Sequence, residues 1–151
     1  MSAEFSSITA QDVPANSSVL FTESSVPCNQ GLIYHKDGSG IFRLVNKFFK
    51  QNIMSNWRRN TNYVVSFHAN ISVPTGGTVE PISLAIAVDG EVESPSIMTF
   101  TPAALGDLGN VGSEVVCTVP YVCPCSTVSV RNISNQTISV QNANIIFEQG
   151  G

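Results

Sequence analysis

"YVVSFHANISV", residues 63–73, alternates without a slip: Tyr63, Val65, Phe67, Ala69, Ile71 and Val73 on one side, Val64, Ser66, His68, Asn70 and Ser72 on the other. Successive side chains of an extended chain point to opposite faces, so a period of two gives one apolar face and one mostly polar face. A helix would scatter the same residues around its circumference. The stretch therefore predicts a half-buried antiparallel strand. Downstream, "PISLAIAVDGEVE", residues 81–93, repeats the alternation with Ile82, Leu84, Ile86 and Val88 inward. It then sets Asp89-Gly90 where a two-residue hairpin turn needs positive φ at both positions, and a partner strand is expected from Glu91.

Further strands are expected over 18–22, 31–35, 40–46, 97–100, 113–120, 127–133 and 137–148, punctuated by "KDGSG", "PTGG", "TPAALGDLGN" and "SNQ". The last of them changes phase between Val140 and Ala143, so Ile145 and Phe147 face inward only if a bulge sits near Asn142. One stretch, "NKFFKQNIMSNWRRN" at 46–60, suits either a helix or a long aromatic-basic loop. Many short strands at even spacing indicate an all-β sandwich or barrel. At 151 residues the chain fits one domain that buries roughly two-thirds of its unfolded surface. Residues 1–15 are polar with isolated Phe5, Ile8 and Val13, which predicts an N-terminal arm, frayed or ordered against a partner, ahead of a domain at 16–151.

Charged residues make up 12% of the chain, about half the usual share, so neutral polar groups must cover much of the surface. The residues near Met1 include Glu4 and Asp12 and form no apolar signal segment, and no apolar run is long enough to span a bilayer. The expectation is a product made in the cytosol that reaches the outside by lysis, by spore release or as part of a particle. Net charge is -4, yet Lys36, Arg43, Lys47, Lys50, Arg58 and Arg59 fall together, with Arg131 the one remaining cation. That asymmetry predicts one basic region suited to docking on an anionic surface.

The chemistry-bearing residues point away from catalysis. Cys123-Pro124-Cys125 has the wrong spacing for a zinc site, and Cys28 and Cys117 are solitary, so no metal and no cofactor are expected. The thiols read as unpaired structural residues, with a disulfide from Cys28 to Cys123 or Cys125 as the alternative. His35 and His68 read as solvated surface histidines, and no Gly-x-Ser-x-Gly elbow is present, so no enzyme is expected. Asp89, Glu91 and Glu93 have the oxygen ligands for calcium, but turn geometry already requires Asp89. Phe48, Phe49 and Trp57 interleaved with Arg58 and Arg59 form a candidate docking or ligand surface; the competing account has the aromatics plugging one end of the barrel. Net negative charge makes nucleic acid a poor partner for it, and an acidic protein surface a better one.

"YVVSFHANISVP", "PISLAIAVDGE", "TPAALGDLGNV", "VPYVCPCSTVSVRNIS" and "ISVQNANIIFE" together resemble the C1q/TNF-like jelly-roll domains of collagen-like spore-surface glycoproteins. They are also similar to short phage and prophage structural proteins of Gram-positive gut bacteria. The resemblance spans about residues 17–148 and implies a ten-strand jelly roll that associates as a trimer. This chain lacks the collagen stalk of the spore proteins. The function expected is a non-enzymatic virion protein, a capsid decoration or head-fibre homotrimer of a bacteriophage, located on the capsid surface and partnered by the major capsid protein or another virion protein. Phe5, Ile8 and Val13 would attach it. Low charge and a 42% apolar content leave faces able to pack about a three-fold axis, with Val64, Ala85 and Ala87 as interface candidates. The alternative is a carbohydrate- or receptor-binding module of a phage tail, spore or cell surface, using Trp57 and Tyr121 as an aromatic platform for surface glycans.

Overall fold

The computed structural model describes residues 1–28, 30–50 and 59–150. Among them lie strands β1 (Ser2–Ser7), β2 (Gln11–Val13), β3 (Glu23–Val26), β4 (Ile33–Tyr34), β5 (Phe42–Val45), β6 (Thr61–Ser72), β7 (Ile82–Val88), β8 (Glu91–Val92), β9 (Met98–Phe100), β10 (Gly109–Val119), β11 (Cys125–Asn132) and β12 (Ile138–Gly150). A single helical turn, α1 (Lys47–Lys50), follows β5. Two antiparallel sheets face each other in a jelly-roll sandwich. The first runs β10-β6-β12-β1-β3, with β2 on β12; the second runs β4-β5-β11-β7-β8, with β9 on β7.

The alternation of 63–73 sets β6 at the heart of the first sheet. Tyr63, Val65, Phe67, Ala69 and Ile71 of β6, and Val73 just past its end, are at most 2% exposed, and across the sandwich Ile82, Leu84 and Ile86 are fully buried while Val88 is half-buried. Burying such a side chain stabilises by about 1.5–3 kcal/mol, so a slip of one residue would expose the whole set. The hairpin forms as expected, with Asp89 at φ 53° and Gly90 at φ 84°. The Asp89 carboxylate also accepts the Thr127 N–H at 3.0 Å, which ties the turn to β11. The strand after it stops at Val92 because a 3-10 turn, Ser94–Ser96, carries Pro95, which has no N–H for the ladder. Ser96 fills the gap: its hydroxyl accepts the Ile86 N–H at 2.8 Å and donates to the Glu93 carbonyl at 2.6 Å.

The bulge in β12 is where the change of phase requires it. Pairing with β6 jumps from Gln141↔Asn70 to Asn144↔His68, Asn142 sits at φ 52°, and its N–H donates to the Ile8 carbonyl at 3.1 Å. Ile138 and Val140 before the bulge, and Ala143, Ile145 and Phe147 after it, all face the core.

The N-terminal segment departs from expectation. Ser2–Ser7 is an interior strand, paired with β12 from Ser2↔Glu148 to Ser7↔Ala143 and flanked on its other side by β3. Phe5 is 4% exposed among Phe42, Phe147 and His35, and Val13 is 1% exposed. A free attachment arm is thus corrected for Phe5 and Val13: two isolated apolar residues suffice when β12 supplies a complete ladder of backbone partners. Ile8 remains exposed. His35 is corrected too. Its ring stacks on Phe42 at 4.3 Å, and Nε2 lies 2.9 Å from the Ser39 carbonyl, which can only accept, so Nε2 carries the proton. His68 is exposed as expected.

Candidate functional site

Two surfaces follow from this register. The first is the outer face of β10, β6 and β12. Direct neighbours across it are Thr118 and Asn62, Val116 and Val64, Glu114 and Ser66, Gly112 and His68, and Asn110 and Asn70. On the far side of β6, Glu148 lies opposite Val64 and Ile146 opposite Ser66. Three pairs of its polar groups satisfy one another, Thr118 donating to Asn62 at 2.8 Å, Asn110 to Asn70 at 3.1 Å and Ser66 to Glu114 at 3.0 Å, while the buried Asn144 Oδ1 in register with His68 has no hydrogen-bond partner among the described residues. Val116 is 65% exposed beside half-buried Val64. Glu114 and Glu148 are the only carboxylates on these three strands, which contain no Lys or Arg. A face already paired internally and centred on two valines loses little on being covered.

The second is a groove on the outer face of the other sheet, at its β4-β5-β11 side. Tyr34 and Arg43 are cross-strand neighbours, as are Val45 and Cys125, so four side chains rise together from three strands. Phe49 of α1 and Pro124 wall the groove, whose volume is about 300 Å³. Tyr34 and Phe49 are about half exposed, and Tyr121 meets the Phe49 ring edge-on at 5.4 Å. The Arg43 guanidinium donates to the Cys125 sulfur at 3.5 Å and has no carboxylate partner among the described residues.

Asn46 fixes the wall. This fully buried amide donates to the Val119 carbonyl at 2.7 Å and the Arg59 carbonyl at 3.0 Å, while its Oδ1 accepts the Phe48 and Phe49 N–H groups. It therefore caps α1 and clamps both ends of the 46–60 excursion to β10. Below it, Tyr63 donates its hydroxyl to the Val45 carbonyl; burial, then Cys28 and Cys117, hold that phenol well above its ordinary range. Burial likewise pushes the Cys117 thiol up to about 11, with Asp89 and Glu93 adding to the shift.

The sequence-predicted residues sort unevenly onto these surfaces. Phe48 and Phe49 part company: Phe48 is 7% exposed with the Arg59 guanidinium 4.3 Å above its ring, while Phe49 lines the groove. Trp57 and Arg58 lie outside the described residues. Val64 lies on the outer face of β6, but Ala85 and Ala87 are corrected as interface candidates. Both are 0% exposed within the chain, flanked in register by Arg131 and Val92, whose longer side chains share that face. All four cysteines are free thiols, so the alternative disulfide from Cys28 to Cys123 or Cys125 is not formed. Among the described residues no group of three or more His, Cys, Asp or Glu side chains is arranged to hold a metal. Tyr34 was not singled out in the sequence, and Arg43 only as one member of the basic region. Strand alternation was the further signal, since it puts Tyr34 and Arg43 outward when Ile33 and Phe42 are inward.

No family model and no curated protein sequence matches the chain. Solved structures do. It is similar to the globular domain of zebrafish complement 1qA protein, with a TM-score of 0.57 and 8% identity over 99% of this chain and 94% of that one. Murine APRIL gives a TM-score of 0.60 at 8% identity over 97% of this chain and 98% of the other. Rabbit GITRL gives 0.52 at 12% identity over 99% and 93%. Identities this low speak to architecture alone, and by that architecture the chain is a C1q/TNF-like jelly roll.

Proposed function

We propose that the chain is a non-enzymatic structural module that associates as a homotrimer through the outer face of β10, β6 and β12. In this reading it serves on the capsid surface of a bacteriophage as a decoration or head-fibre protein. The observation that carries self-association is the internally paired, lysine- and arginine-free face around Val64 and Val116. The virion setting rests on the sequence resemblance. With Phe5 and Val13 built into the sandwich, attachment to the major capsid protein falls to the basic region holding exposed Lys36, Arg43 and Arg59. Size-exclusion chromatography with light scattering tests the assembly: a trimer is expected, reduced to monomer by Val64→Asp with Val116→Asp, and a monodisperse monomer of the unaltered chain would overturn it. Mass spectrometry of purified phage particles tests the location.

The groove favours a second reading, a carbohydrate- or receptor-binding surface module. Half-exposed Tyr34 and Phe49 line the same groove as a strand-borne guanidinium. Glycan-array binding lost in Phe49→Ala is the expected result.

A further inference from the structure

We infer that the groove between β4, β5 and the α1 turn takes a carboxylated sugar ring, a terminal uronic acid being the simplest case; this deepens the second reading above and rests on it. Three observations converge. The volume, about 300 Å³, is at the small end for a ligand pocket and suits one ring rather than a chain. Tyr34 and Phe49 are 51% and 47% exposed and line the same opening, so they form one aromatic patch rather than two scattered residues. Phe49 is held in place by the Tyr121 ring, 5.4 Å away and tilted to it, and by Asn46 through the backbone of its turn. A rigid aromatic face loses little entropy when the C–H face of a sugar packs on it.

Arg43 decides the charge of the occupant. Its neighbours across the strands are Tyr34 and Thr127, and it hydrogen-bonds the Cys125 sulfur, a weak acceptor. Arg43 lines an opening whose other lining residues, Tyr34, Val45, Phe49, Pro124 and Cys125, include no acid. A planar carboxylate matches the planar guanidinium fork in two-point fashion, which a neutral hydroxyl group does not. The ring supplies the apolar contact, and its carboxylate supplies the acid partner that Arg43 does not have among the described residues. Positions on three adjacent strands fix the geometry more tightly than a loop would.

Cys125 provides the reporter, because it lines the groove. Full-length protein carrying Cys123→Ser is treated with iodoacetamide, and alkylation of Cys125 is followed by peptide mass mapping. Glucuronate and glucose are titrated separately, each variant being compared with its own sugar-free rate. Glucuronate is expected to protect Cys125 in a saturable way and glucose not to. Arg43→Gln should raise the glucuronate concentration needed by about tenfold or more, the worth of one charge-assisted pair. Arg131→Gln, on the same sheet but outside the groove, should leave it unchanged. Equal protection by both sugars would overturn the acidic-sugar assignment while leaving a sugar-binding groove in place, as would protection by glucuronate that survives Arg43→Gln. No protection by either sugar, together with an empty glycan array, would remove both.

Discussion

Asn142 shows how much one backbone angle carries. At φ 52° it occupies the left-handed region, which costs a side chain with a Cβ but which Asn tolerates better than most. That single residue lets Ile138 and Val140 on one side of the bulge, and Ile145 and Phe147 on the other, share a core face. Asn142→Ala is expected to lower stability by about 1 kcal/mol and Asn142→Gly to hold or raise it, measured as urea midpoints. Cys117 makes a prediction in pH. Its thiol is raised from 9.0 to about 11, first by burial and then by Asp89 and Glu93. Below pH 9 it is protonated in folded and unfolded chains alike. Above that the unfolded chain releases its proton first, so stability is complete below pH 9 and drains away up to about 11. Tyr63 is shifted in the same direction and adds its own loss beginning near pH 10. The urea midpoint should therefore fall between pH 8.5 and 10.5 in the unaltered protein and fall less in Cys117→Ala.

Among the elements, β1 and the base of the 46–60 excursion were the least legible in the sequence. The long strands announce themselves because burial on one face forces an unbroken alternation, as in β6, in β7 and on each side of the β12 bulge, and the Asp89-Gly90 turn is a local necessity. β1 gives no such signal. Its residues Ser2, Glu4, Ser6 and Ser7 are polar, and its place depends on hydrogen bonds to β12 at the other end of the chain. Phe5→Ala should accordingly cost about 3–5 kcal/mol in thermal or urea unfolding, a loss that a disordered arm would not show. Asn46 is equally silent in sequence, since a buried amide is distinguished by its partners and those sit on β10 and at the far end of the excursion. Asn46→Ala leaves two carbonyls and two N–H groups without that amide, an expected loss of about 2 kcal/mol or more on unfolding. The same change should slacken α1 and, with it, the groove wall at Phe49. The groove as a whole was half visible: the basic cluster pointed to Arg43, but only the β4-β5-β11 register gathers it with Tyr34 and Cys125.

At the scale of the whole molecule, the proposed trimer has a built-in sensitivity to salt. Glu114 and Glu148 are carried on its contact strands with no cation there to offset them, so association should tighten as ionic strength rises from about 0.05 M to about 0.5 M. Light scattering at fixed protein concentration would register this, and a Glu148→Gln chain should assemble with less dependence on salt. The pairing of Ser2–Ser7 with the far end of β12 has one more effect, felt before there is any molecule to assemble. The opening strand must wait, half satisfied, until almost everything after it has been synthesised, which makes closure of the first sheet a late and slow event. A ribosome-bound chain halted before residue 138 would hold the Phe5 side chain without its Phe147 neighbour, and would stay protease-sensitive at its very start.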